Sequence, residues 1–186
     1  MTIRALVGGV FAASALLALP APASERDASL YQLHEKLLSQ DGKAIDLDIY
    51  RGKPVLVTMF YASCPATCPL IIDTLREIER KVDAPRRPPL RVLLVSLDAA
   101  RDTPEALRKL AGERRIDTSR WTLAHADAAA VRRIAAALSI QYRQLPNGEF
   151  SHSTIISALN ADGKIVSQSA ELGHADPELL RALNAP

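Results

Sequence analysis

The sequence predicts a single-domain α/β protein, a three-layer sandwich with a mixed sheet at its centre. Three observations carry this. Two apolar runs, "PVLVTMFY" (54–61) and "LRVLLVSL" (90–97), lack polar alternation, as strands buried on both faces do. Between them the apolar period is helical, so the two strands are joined by a right-handed parallel crossover. Near the C-terminus, "STIISAL" and "KIVSQS" flank "NADG", a hairpin signal that adds antiparallel strands.

The other elements follow in chain order. Residues 1–23 read as a secretory leader: Arg4, an alanine-rich apolar run from Ala5 to Leu19, then Pro20 and Ala21-Pro22-Ala23. The run is short for a spanning helix, which needs about 20 residues, so an uncleaved anchor is the lesser expectation. Residues 24–40 read as a polar lead-in, and 41–186 as the folded domain. "QDGKAIDLDIYRGK" reads as a short hairpin feeding the first buried strand. After Pro69, Ile71, Leu75, Ile78 and Val82 share one helical face. Asp102-Thr103-Pro104-Glu105 opens a second helix with a cap ahead of a first-turn proline. "RWTLAHAD" carries a short strand, and Asp127 caps a helix bearing Val131, Ile134, Ala135 and Leu138. Asp176-Pro177 opens a terminal helix. This order of elements fits a thioredoxin-like sandwich.

Composition narrows the function. With 48% hydrophobic and 24% charged residues, the chain can bury a core and is not a disordered tail. Twenty-three basic residues against 21 acidic leave a formal charge of +2, with no long basic run, so no nucleic-acid partner is expected. An exported, periplasmic location follows from the leader, where thiols meet oxidising conditions.

The only cysteines, Cys64 and Cys68, lie in "YASCPATCPL" between the first buried strand and the first helix. Pro69 suits a first helical turn and places Cys68 near the N-cap, where free N–H groups and the helix dipole favour thiolate. Three intervening residues widen the turn beyond the usual redox pair and can leave both sulfurs outward. The pair then suits a soft cation such as Cu(I), or a reversible disulfide. A purely structural disulfide would close too small a loop to stabilise much. Of four histidines, His34, His125 and His174 read as surface or loop residues. His152, in "NGEFSHSTIISAL", enters the C-terminal hairpin from a loop that packs beside the cysteine turn in such a fold. Its imidazole could complete a Cys2His site. Asp98, Asp102 and Thr103 read as helix-capping groups, with a supporting role near the site as the sharper alternative.

"FYASCPATCPLIIDTL", "VSLDAARDTPEAL" and "FSHSTIISALNADGKIV" together resemble three signatures of the Sco/SenC family, over residues 40 to the C-terminus. The resemblance implies a thioredoxin-like copper protein with Cys64, Cys68 and His152 as metal ligands. It implies delivery of copper to, or thiol reduction at, the binuclear copper centre of cytochrome c oxidase. The partners implied are that copper-bearing subunit or another periplasmic cuproprotein, and a thiol reductant. The chain would work near the membrane without spanning it. Three departures stand out: Pro65-Ala66-Thr67 lies where an acid is common, Ser151 where an aspartate commonly precedes the histidine, and a cleavable leader where the family usually has a membrane anchor. The rival reading is a thiol–disulfide oxidoreductase without a copper role, with Cys64 attacking and Cys68 resolving. A peroxidase is the weakest reading, since no arginine is placed to activate a cysteine.

Overall fold

The computed structural model describes residues 28–65, 67–82 and 89–185. Seven strands form the main sheet: β1 (Lys36–Ser39), β2 (Ala44–Asp46), β3 (Val55–Phe60), β4 (Arg91–Ser96), β5 (Trp121–His125), β8 (Ile156–Leu159) and β9 (Ile165–Ser169). Their spatial order is β2-β1-β5-β4-β3-β8-β9. The centre, β3, β4 and β5, is parallel, while β1 on β5 and β8 on β3 are antiparallel. The mixed, thioredoxin-like sheet expected from the sequence is therefore present. The helices are α1 (Thr67–Lys81), α2 (Pro104–Glu113), α3 (Ala128–Ala137) and α4 (Pro177–Asn184).

Strand alternation sorts the core into two layers. Leu56 and Phe60 of β3 and Val92 and Leu94 of β4 face α1, α2 and α4. Val55, Val57 and Met59 with Leu93 and Val95 face α3 and the N-terminal turns. All six residues of β3 are buried, which is why the run shows no polar alternation. Both cysteines belong to the α1 layer. Thr103 caps α2 through the Ala106 N–H, and Asp127 caps α3 through the N–H groups of Ala129 and Ala130.

Three expectations need correction. The 24–40 stretch is not merely a lead-in. Leu30 and Tyr31, in a 3-10 turn over Leu30–Leu33, are buried, and β1 already pairs with β5. The sequence looked polar there because several of the residues it buries, Glu35, Ser39 and Gln40, are themselves polar. His152 does not enter the C-terminal hairpin: it ends β7 (Phe150–His152), which pairs with β6 (Tyr142–Gln144) in a separate two-stranded sheet. His125 is the last residue of β5 rather than a loop residue. The leader expected at 1–23 lies outside the described residues. Among the described residues no helix is long and apolar enough to cross a membrane.

Candidate metal and thiol site

β3 ends at Phe60, and the chain turns through Tyr61–Ser63 to Cys64. The Cys64 N–H donates to the Tyr61 carbonyl at 3.2 Å. α1 begins at Thr67, so Cys68 is a first-turn residue rather than a cap. The backbone N–H of Cys68 donates to Cys64 Sγ at 3.3 Å. The helix N-terminus therefore serves the Cys64 sulfur. No disulfide joins the two cysteines.

Contrary to the expected outward pair, both sulfur-bearing residues are buried, Cys64 at 9% exposure and Cys68 at 3%. Burial pushes the Cys68 thiol well above its ordinary range; the Cys64 side chain beside it and the buried Asp102 push the same way. Desolvation in the apolar layer outweighs both the helix dipole and the backbone hydrogen bond of Tyr61, which works the other way. The pair is thus asymmetric. Iodoacetamide applied to the reduced protein at pH 8 should alkylate Cys64 before Cys68, as peptide mapping would show; equal labelling would contradict the asymmetry.

Tyr61 connects the cysteine turn to the β6–β7 hairpin. Burial, and then the hydrogen bond with the Cys64 side chain, raise its phenol above the ordinary range. Its ring lies 5.4 Å from Phe150 and stands edge-on to His152 at 6.1 Å. The half-buried His152 directs Nδ1 at the Ser153 carbonyl, 3.1 Å away. A carbonyl only accepts, so the proton sits on Nδ1 and the Nε2 lone pair is left for a proton or a metal. Burial holds the imidazole below its ordinary value of 6.5. The folded protein therefore resists protonating it, and the unfolded chain binds more protons as pH falls. Stability from this group is present above pH 6.5 and is lost as pH drops through the folded value. An NMR titration of the metal-free protein should place the His152 midpoint below 6.5; one at or above 6.5 would refute the burial argument.

The structure brings Cys64 and Cys68 together and sets His152 across Tyr61 from them. Among the described residues, no three His, Cys, Asp or Glu side chains stand close enough to hold a metal ion. Two sulfurs with an amide aimed at one of them suit a soft cation, and an imidazole with Nε2 unprotonated suits a third ligand. His174 is exposed beside Glu171, and His34 follows the 3-10 turn over Leu30–Leu33.

Sequence reasoning missed Tyr61, Phe150 and Arg101. Tyr61 carried a weak signal, a hydroxyl-bearing aromatic at the end of a buried strand three residues before Cys64. Arg101 lay within the motif "RDTPE", but no local pattern assigned it a role.

A sequence profile of the SCO1/SenC family matches residues 24–184. A SCO1 protein homolog of Bacillus subtilis is 25% identical over 83 residues, 45% of this chain and 42% of that protein. The match thus spans less than half of that curated relative's length. The copper-bound structure of Bradyrhizobium japonicum ScoI superposes with a TM-score of 0.65 at 21% identity, covering 80% of this chain and 92% of that one. BsSco, a Sco-family cytochrome c oxidase assembly protein with a disulfide switch, superposes at 0.61 and 21% identity, covering 72% and 78%. At these identities the structural likeness shows a shared fold.

Proposed function

The chain belongs to the SCO1/SenC family, and from that premise we propose that it is an exported copper metallochaperone. Cys64 and Cys68 would hold Cu(I), with His152 joining them for Cu(II). The acceptor would be the binuclear copper site of cytochrome c oxidase or another periplasmic cuproprotein. The observation that supports this best is the cysteine pair itself. Two thiols share one helix N-terminus, with the Cys68 amide on the Cys64 sulfur, inside a chain that shares its fold with copper-bound relatives. Each residue has a part. The α1 amide supports negative charge at Cys64, the buried Cys68 shields the site from water, and Ser153 holds the imidazole tautomer that leaves Nε2 open. A disulfide has no thiolate to offer, so oxidation of the pair and copper loading exclude each other.

An anaerobic copper titration of the reduced mature protein tests this. One equivalent should bind, and Cu(II) should give an intense sulfur-to-copper charge-transfer band that Cys64→Ser removes and His152→Ala alters. Weak, cysteine-independent binding with no such band would sink the proposal.

The asymmetry of the thiols favours one second reading, a thiol–disulfide oxidoreductase. Here the Cys64 thiolate attacks a partner disulfide and displaces one partner thiolate. Cys68 loses its proton and attacks the Cys64 sulfur of the mixed disulfide, releasing the second partner thiol. The pair is oxidised by two electrons and the partner is reduced by two. Turnover unaffected by His152→Ala and by copper chelation would favour this reading over the first.

A further inference from the structure

Arg101 and Asp102 are neighbours in the chain but hold opposite halves of the candidate site. We propose that the loop between β4 and α2, residues 97–103, is a bracket that sets the His152-bearing hairpin over the cysteine turn, with Arg101 as its positioning residue. The consequence for copper rests on the ligand role of His152 proposed above; the bracket itself does not.

One arm is buried. Asp102 is 2% exposed, and its Oδ2 accepts from the Ala62 N–H at 2.8 Å and the Ser96 hydroxyl at 2.6 Å. Ala62 lies two residues before Cys64, so this carboxylate anchors the start of the cysteine turn. The other arm reaches outward. Arg101 pairs through Nε with Asp98, and its Nη2 donates to the Gly148 carbonyl, four residues before His152. Asp98 is 1% exposed and also accepts the Arg101 N–H at 3.1 Å, so the guanidinium is levered from a buried point.

The loop between the arms is held along its backbone. The Asp98 N–H donates to Ser96 Oγ at 2.9 Å, and the Asp102 N–H to the Asp98 carbonyl at 3.1 Å. His125, from the end of β5, directs Nδ1 at the Asp102 carbonyl, 3.1 Å away. A continuous chain of hydrogen bonds therefore runs from Ala62 to Gly148.

The hairpin needs such a hold. β6 and β7 pair only with each other and are not part of the main sheet. A two-stranded ribbon is marginal on its own, so side-chain ties decide where it lies. On the other side Tyr61 supplies aromatic contact and a hydrogen bond with the Phe150 backbone, and Arg101 ties the Gly148 turn. An arginine suits this because its planar fork bonds two acceptors at once, which a lysine does not. The turn matches it: Gly148 sits at φ +82°, and a Cβ there would come within 3.3 Å of Arg101 Nη1.

Amide hydrogen exchange on the reduced, metal-free protein tests the bracket. Arg101→Ala should speed exchange over 148–153 about tenfold, the loss of one charge-assisted bond, with β3 and β4 unchanged. Arg101→Lys, which keeps the Asp98 pair without the fork, should fall between. Unchanged exchange at 148–153, or equal acceleration in β3, would overturn the proposal. In a parallel copper titration, Arg101→Ala should weaken Cu(II) binding about tenfold and shift its spectrum toward that of His152→Ala, as loss of an outer support does. Cu(I) binding should change less than about twofold, because the sulfurs are untouched. Equal losses for both ions would also overturn it. If His152→Ala itself leaves Cu(II) binding intact, the ligand assignment fails instead, and the exchange result still decides the bracket.

Discussion

Serine at Cys68 is expected to lower Cu(I) affinity about a hundredfold or more, and serine at Cys64 to do at least as much. Four-ligand thiolate and imidazole sites bind metal with about 10–16 kcal/mol, or about 3 kcal/mol per ligand, and each 1.4 kcal/mol is about tenfold. A two-sulfur site has fewer ligands to share the loss. Serine offers a hard, protonated oxygen in place of a soft thiolate. Cys64 also loses the sulfur that accepts the Cys68 amide, so its replacement disturbs the turn itself. Because burial holds the Cys68 proton tightly, copper must displace it, and affinity should rise with pH between about 6 and 9. Competition against a colorimetric Cu(I) chelator at several pH values checks both claims. A double-serine variant that binds as tightly as the native protein would remove the site assignment.

The second large effect is on stability. Gly163→Ala should destabilise the fold by about 2–5 kcal/mol. Gly163 adopts φ +78°, and a Cβ there would lie 2.5 Å from Cδ2 of Tyr31. Tyr31 is only 2% exposed, so its ring has no room to withdraw. A left-handed conformation costs a residue with a Cβ about 1–2 kcal/mol, and overpacking about 1–3 kcal/mol. The same turn takes the Leu30 N–H on the Gly163 carbonyl at 2.8 Å, so the 3-10 turn over Leu30–Leu33 would loosen with it. For a chain of this size the melting midpoint should fall by about 5–15 °C. Val55 pairs with Leu159, which puts Gly163 at the end of β3 remote from the cysteines. Copper stoichiometry should therefore survive in the folded variant. Thermal unfolding followed by circular dichroism measures the first effect, and a midpoint within about 2 °C of the native protein would refute the clash.

Much of the fold was legible because local signals agreed with the global one. The unbroken apolar runs of β3 and β4 fitted central strands, and the caps at Thr103, Asp127 and Asp176 mark the starts of α2, α3 and α4. The short elements were not legible. β6 and β7 have three residues each, too few to display a period, so His152 read as the entry to the C-terminal hairpin rather than as part of a separate ribbon. β1 hid within a polar stretch because only alternate residues face the core.

The sequence by itself determined the sandwich, the family resemblance and the residues from which a site could be built, because residue type, spacing and periodicity are local properties. The tertiary structure decided how those residues behave. It turned the helix amide toward Cys64 and buried Cys68, reversing the expectation that the dipole would favour thiolate at Cys68. It placed Tyr61 against both the cysteine turn and His152, and it tied Ala62 to Gly148 through one loop. Desolvation and contacts between segments far apart in the chain depend on where each segment packs, and no local pattern records that.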